Sequence, residues 1–141
     1  MMGLEAYIRK VHYHETDKMG ITHHSNYVKW MEEARIDFLD QLGYGYARLE
    51  SEGISSPVTG RAGQYKHPTT FDDTVCIQVE VEEFKGVRLV IRYIVTNQAT
   101  GDLVFIGKSQ HCFVNREGKP VILKKQCPEL DRILKDLVVK E

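Results

Sequence analysis

No apolar run approaches the roughly 18 residues that a membrane-spanning helix needs, and the opening segment MMGLEAYIRK holds no apolar stretch long enough for a signal peptide. Neither sign of charge dominates, since 19 Lys and Arg stand against 20 Asp and Glu for a net charge of −1. Such a chain has no global field to attract nucleic acid or anionic lipid, so any anionic ligand must be held by a local group of basic side chains. Cysteine is scarce. Cys76, Cys112 and Cys127 are odd in number, lack the CxxC spacing of zinc or redox sites, and read as buried reduced thiols. These absences lead to the expectation of a cytoplasmic protein with no membrane span, no nucleic-acid partner and no metal or redox cofactor.

There is also no internal repeat, low-complexity tract or marked domain boundary. The 141 residues, 42% hydrophobic and 28% charged, have the composition of one ordinary soluble domain over residues 1–141. Folding a chain of this size removes about 68% of the surface that the unfolded chain exposes, which gives a core without disulfide or metal staples.

What is present is periodicity. Leu4 to Tyr13 suits a first strand, and HETDKMGITHHSN after it is polar and reads as a loop. From Ser25 to Leu42 the period becomes helical. Tyr27, Trp30, Met31, Ala34, Phe38 and Leu42 fall on one arc, with Lys29, Glu32 and Asp40 opposite. Val28 and Leu39 widen the apolar face and Ile36 lies on the polar side, more apolar surface than a helix on a flat sheet needs. Ser25 or Asn26 would cap its start and Gly43 would end it, giving a helix of about 27 Å. A shorter helical stretch follows from Tyr46 to Glu52.

After Pro57 the period falls to two. Val58 to Lys66, Val75 to Val81, Val87 to Val95 and Leu103 to Val114 read as strands, and the short connections between the last three make them antiparallel neighbours. ELDRILKDLV reads as a C-terminal helix. The order is satisfied by an α+β fold in which a twisted antiparallel sheet is wrapped around one long central helix. Val90, Ile94, Val104 and Ile106 have the outward parity of their strands, which implies a second covered surface. An oligomer is the favoured cover, the C-terminal helix the alternative.

The segment VHYHETDKMGITHHSNYVKWMEEAR concentrates the chemistry. Asp17 lies in a loop that turns at Gly20 and runs into the helix, whose N-terminus offers unpaired N–H groups and partial positive charge. A carbonyl between the two would be polarised by the N–H groups while the carboxylate attacks it or activates water, which suits acyl transfer. Spacing alone leaves a simpler account, in which Asp17 closes the loop through an Asx-turn.

The run Tyr13, Thr16, Asp17, Gly20, His24, Asn26, Tyr27 resembles the signature of the 4-hydroxybenzoyl-CoA thioesterase family, acyl-CoA thioester hydrolases with a hotdog fold. The stretch YKHPTTFDDTV is similar to that family's strand-and-turn segment through Tyr65, Pro68, Phe71, Asp72 and Asp73, and the two lie at the family's relative spacing. The resemblance implies that Asp17 is the catalytic carboxylate, as nucleophile or general base. It implies that the backbone N–H of His24 donates to the thioester oxygen, that Gly20 allows close approach of the loop, and that Asn26 and Tyr27 fix the start of the helix beside the substrate. One branch of the family carries a His at position 24 and another lacks it. The resemblance also implies a homodimer with the site at its interface, paired dimers forming a homotetramer, and coenzyme A only as part of the substrate.

Adjacent His23 and His24 lack a third ligand at helical spacing, and His12 and His14 read as surface or pocket-lining residues. Glu33 is the competing carboxylate, because another hotdog branch uses one on the central helix. Its alternative is an ion pair with Lys29 one turn back. Arg61, Lys66, Arg88, Arg92, Lys108, Lys124 and Lys125 are candidates for the CoA phosphates, with Lys66 and Arg88 preferred. The expected function is acyl-CoA thioester hydrolysis. The alternatives are a hotdog module that binds acyl-CoA or acyl-carrier protein without hydrolysis, and a hotdog dehydratase of 3-hydroxyacyl thioesters.

Overall fold

The computed structural model describes residues 4–139, which form β1 (Tyr7–Lys10), α1 (Ser25–Gln41), α2 (Tyr46–Ser51), β2 (Val58–Tyr65), β3 (Thr74–Lys85), β4 (Arg88–Asn97), β5 (Leu103–Cys112), α3 (Leu123–Gln126) and α4 (Pro128–Leu137). The five strands make one sheet in the order β1-β3-β4-β5-β2. β1 runs antiparallel to β3, with Tyr7 opposite Ile77 and Arg9 opposite Val75. Two residues join β3 to β4 and five join β4 to β5, lengths that only antiparallel neighbours allow.

The first strand is shorter than its sequence suggests. Val11 still exchanges backbone hydrogen bonds with Asp72 and Asp73, but a 3-10 turn follows at Tyr13–Glu15. That turn is closed at both ends of one residue: Glu15 N–H donates to His12 O at 3.0 Å, and Glu15 Oε1 accepts the His12 N–H at 2.8 Å.

Helix α1 begins at Ser25, as its pattern indicates, yet neither Ser25 nor Asn26 caps it. Both are already helical. The Asn26 amide instead donates backwards, to Glu15 O at 3.0 Å and His23 O at 3.1 Å, and the Ser25 N–H is taken by His23 Nδ1 at 3.3 Å. The C-terminal end follows the expectation. Gly43 has φ +84, its N–H donates to Asp40 O at 3.0 Å, and Tyr44 N–H reaches Leu39 O at 2.9 Å, the paired bonds of a Schellman stop.

Backbone proximity divides the chain into two units. One comprises residues up to Phe38, Gly63–Val79 and Tyr93–Gly107. Its core is the arc of α1, with Tyr27, Trp30, Met31, Ala34 and Phe38 all buried, together with Val75, Ile77, Tyr93, Val95 and Phe105. The Phe105 ring is seated between two glycines. A Cβ on Gly63 would run into that ring, and one on Gly107 would lie 2.5 Å from the ring and 2.6 Å from Met31 Sδ.

The other unit comprises Leu39–Ala62, Glu80–Arg92 and the residues from Lys108 on. It buries Leu39, Leu42, Leu49, Ile54, Val81, Phe84, Leu89, Phe113, Leu123, Leu130 and Leu134. Leu130 and Leu134, four apart on α4, are fully buried and form the inward stripe of an amphipathic helix.

The outward parity of the strands needs correction. Val90 and Val104 are buried within the chain at 3% and 1% exposure, so they require no second copy to cover them, while Ile94 and Ile106 stay half-buried. The three thiols are free. Cys127 is buried, but Cys76 and Cys112 are only half-buried.

Candidate active site

The loop from Thr16 to His24 is a small hairpin. Thr16 and Thr22 form an antiparallel bridge, Asp17 N–H donates to Ile21 O at 2.9 Å, and Gly20 N–H donates to Asp17 O at 2.9 Å. Gly20 supplies the left-handed conformation at φ +80, and a Cβ there would meet nothing within 4 Å. Its reason within the chain is therefore backbone conformation rather than the close approach expected of it. Asp17 Oδ1 accepts the Met19 N–H at 2.8 Å. This is the Asx-turn that spacing alone suggested, and it leaves the carboxylate exposed with its second oxygen unbonded among the described residues.

The two sequence motifs lie side by side. Thr22 N–H donates to Thr69 O at 2.9 Å, Ile21 and Thr70 form a bridge, and the Tyr13 and Phe71 rings meet edge to face at 5.5 Å. Asp72 turns the second segment at φ 74, a conformation that Asp tolerates better than most residues. Between the motifs opens a cavity of about 390 Å³, lined by Asp17, Thr22, His24, Tyr27, Tyr65, Lys66 and His67 among others. Of the residues singled out in the sequence, Asp17, His24, Tyr27 and Lys66 are thus brought together.

The helix start beside this cavity keeps one free donor. Asn26 N–H and Tyr27 N–H turn back to His23 O and His24 O, whereas the His24 N–H has no acceptor among the described residues. The His24 ring is exposed, stacked on His23 at 4.2 Å and edge-on to Tyr65 at 6.4 Å. Tyr27 lies deeper. Burial pushes its phenol above the usual range, partly offset by its hydrogen bond to Thr69. Its ring packs at a tilt against Trp30 and Phe105, with centroids 4.7 and 5.0 Å away, and edge-on to Tyr65 at 5.3 Å. Thr69, fully buried, joins Tyr27 and Thr22 through its hydroxyl, at 3.3 and 2.6 Å.

The remaining candidates lie elsewhere. Asn26 fixes the start of the helix but does not line the cavity. Arg88 belongs to the other unit, where it pairs with Glu83 at 3.5 Å. Arg92 and Lys108 are likewise paired, with Glu80 at 2.8 Å and Glu82 at 3.0 Å. Arg61, Lys124 and Lys125, like Lys66 of the cavity, are exposed and have no ion-pair partner among the described residues. Among those residues, no group of three His, Cys, Asp or Glu is disposed to hold a metal.

Glu33 is not paired with Lys29. Its Oε1 accepts Arg9 Nε–H at 2.7 Å and the Tyr7 hydroxyl at 3.1 Å. Burial and then the neighbouring Glu33 charge push the Tyr7 phenol up. A second cavity, about 290 Å³, lies wholly in the other unit. Tyr46, Leu49, Ile54, Pro57 and Val114 make it mainly apolar, and it contains one carboxylate, Glu50, with no cation or histidine. The chemistry is therefore concentrated in the cavity beside Asp17.

Residues 11–135 match the family model of the thioesterase-like superfamily. The chain belongs to that superfamily. It is 36% identical over 121 residues to the putative acyl-CoA thioesterase YneP of Bacillus subtilis, covering 85% of this chain and 87% of that protein. It is 30% identical over 88 residues to the acyl-CoA thioester hydrolase YbgC of Escherichia coli O6:H1, covering 62% and 66% of the two chains. The crystal structure of a DHNA-CoA thioesterase from Staphylococcus aureus superimposes with a TM-score of 0.88 at 32% identity, covering 94% of this chain and 89% of that one. The α+β arrangement described above is thus the hotdog fold of these thioesterases.

Tyr65 and His67, which line the cavity, and Thr69, buried behind it, were given no role by the sequence. Thr69 and His67 lie within the second motif, but nothing in the spacing distinguishes a buried threonine that joins two segments from one that ends a turn.

Proposed function

We propose that this chain hydrolyses an acyl-CoA thioester to the free acid and CoA. The observation that carries the reading is that an exposed carboxylate, Asp17, and an unbonded N–H at a helix start, that of His24, border one cavity with aromatic lining. The thioester oxygen takes the His24 N–H and the partial positive charge of the helix terminus as it becomes an oxyanion. Asp17 either removes a proton from water, whose oxygen attacks the carbonyl carbon, or attacks that carbon itself to give a mixed anhydride that water cleaves. In both routes the C–S bond breaks and CoA takes up a proton as it leaves. No metal or redox cofactor has a part in this chemistry.

The acyl group lies against Tyr27 and Tyr65, with Gly20 and Asn26 shaping the loop and helix start around it, and Lys66 on the cavity lining takes the CoA phosphates. Two copies pair along β2, and pairs of dimers form a tetramer. In support, β2 ends the sheet order and all but one of its residues are exposed, an edge that another strand can extend. Ile94 and Ile106 provide apolar surface for the second contact. Among the described residues no helix is long and apolar enough to cross a membrane, and the three free thiols suit the reducing cytoplasm.

Thiol release from a panel of aliphatic and aromatic acyl-CoAs tests the reading. Turnover with at least one class, lost in Asp17→Asn, is the expected result. Saturable binding without thiol release indicates a binding module, and water loss from a 3-hydroxyacyl-CoA a dehydratase. Either result overturns the proposal.

A further inference from the structure

Glu15 is a buried charge in the middle of a polar loop, with 2% exposure. Burial alone would raise its pKa, but hydrogen bonds from Arg9, the His12 N–H and Trp30 more than reverse this and hold the carboxyl below its usual range. Three donors from three different segments converge on it. Arg9 Nη1 from β1 lies 2.6 Å from Oε1, the His12 N–H of the 3-10 turn 2.8 Å from the same oxygen, and Trp30 Nε1 of α1 3.1 Å from Oε2. The backbone of Glu15 is used as well. Its carbonyl accepts the His23 N–H at 2.8 Å and the Asn26 amide at 3.0 Å.

These bonds bracket the Asp17 hairpin. Its incoming end is fixed by the Glu15 side chain, and its outgoing end, at His23, is tied to the Glu15 carbonyl. The same carboxylate is bonded to Trp30, one and a half turns into α1, so the hairpin and the helix start are registered to one group. Arg9 is held in turn by Glu33, at 2.7 Å, and lies over the Trp30 ring at 5.2 Å. Glu33 thus braces Arg9 from the helix side.

We propose that Glu15 is a positioning residue that sets the Asp17 carboxylate against the N-terminal end of α1. It touches no substrate and acts through the hairpin it anchors. This deepens the thioesterase reading and rests on it. The residue type follows from the donors. With three N–H groups pointing inward, only an acceptor-only carboxylate satisfies all of them, and a glutamine would turn its NH₂ towards at least one. A small displacement of a reacting group costs up to about 100-fold in rate without loosening substrate binding to the same extent.

The test compares the wild-type chain with Glu15→Gln and with Trp30→Phe, which keeps a ring and removes only the indole N–H. Backbone hydrogen exchange over residues 16–24 is expected to be at least about tenfold faster in Glu15→Gln, with β3 unchanged. Its kcat is expected to fall about 10- to 100-fold while KM stays within about threefold, and Trp30→Phe shows the same pattern more weakly. Exchange that is unchanged in the hairpin, or that rises equally across the whole chain, overturns the proposal, and so does a loosened hairpin with kcat within about twofold of wild type. If Glu15→Gln does not fold, Trp30→Phe carries both arms. Absence of thiol release by the wild type is the separate failure of the thioesterase reading, and the exchange arm then decides whether Glu15 holds the hairpin.

Discussion

Arg9 Nε donates to Glu33 Oε1 at 2.7 Å, which fastens the one carboxylate of the central helix that could compete for catalysis to the first strand. Burial opposes the charge on Arg9, but its hydrogen bonds to the Glu15 and Glu33 carboxylates, with their charges, outweigh it and raise its pKa further. A side chain in such a network is poorly placed to take a proton from water, so the two candidate carboxylates separate by experiment. Asp17→Asn is expected to lower kcat by at least about 100-fold with its melting temperature unchanged. Glu33→Gln should keep kcat within about tenfold and lose stability instead. Full turnover in Asp17→Asn, with none in Glu33→Gln, would reverse the assignment.

The Glu15 carboxyl also predicts a direction for acid stability. Its folded pKa lies below the ordinary glutamate value, so its contribution is present above the unfolded pKa of about 4.3 and is lost as pH falls through the folded value. Thermal melts between pH 7 and pH 3 should show wild type losing more stability than Glu15→Gln over the acid end of that range. A Glu15→Gln profile that parallels wild type throughout contradicts the linkage.

Gly107 is expected to tolerate no side chain. An added methyl group would lie 2.5 Å from the Phe105 ring and 2.6 Å from Met31 Sδ. Methionine can yield, but the phenylalanine is confined on its other side by Gly63. Gly107→Ala should cost about 1–3 kcal/mol in denaturant unfolding. A loss under about 0.5 kcal/mol would mean that the ring has room to move.

At Gly43 the cause is different. The nearest side-chain atom to a new Cβ is Arg48 Nη1 at 4.0 Å, so space is ample, and the obstacle is φ +84. Gly43→Ala should destabilise by about 1–2 kcal/mol through the left-handed backbone alone. Gly43→Asn should recover part of that loss, because Asn tolerates the conformation, and equal melting of the two variants would argue against a backbone origin.

The helix could be read from the sequence because its reasons are local. All six residues of the predicted arc, from Tyr27 to Leu42, are buried, and the helix stops where Gly43 bonds to the residue three positions back and Tyr44 to the one five back. Strand alternation gave Val75, Ile77 and Val81 for the same reason. Glu15 could not be read in this way. Within its own segment it is one more polar residue before a turn, and what makes it a buried acceptor comes from Arg9, six residues earlier, and Trp30, fifteen later. Val90 and Val104 show the complementary limit. Parity identified the face they occupy, but whether a face is covered by the same chain or by another depends on tertiary packing that no local period records. Asp17 stands between these cases. Its Asx-turn is local and legible, whereas its neighbours Tyr65 and Lys66 arrive from a strand more than forty positions away.

Trp30 is the only tryptophan in the chain. Its indole is fully buried, bonded to Glu15 at 3.1 Å and one ring away from the cavity through Tyr27, at 4.7 Å. All tryptophan emission from each copy therefore originates at a single point beside the candidate site. Quenching or a wavelength shift on adding a ligand would report on this one neighbourhood without any label, and an acid titration followed at the same wavelength would read the ionisation of the carboxylate the indole is bonded to.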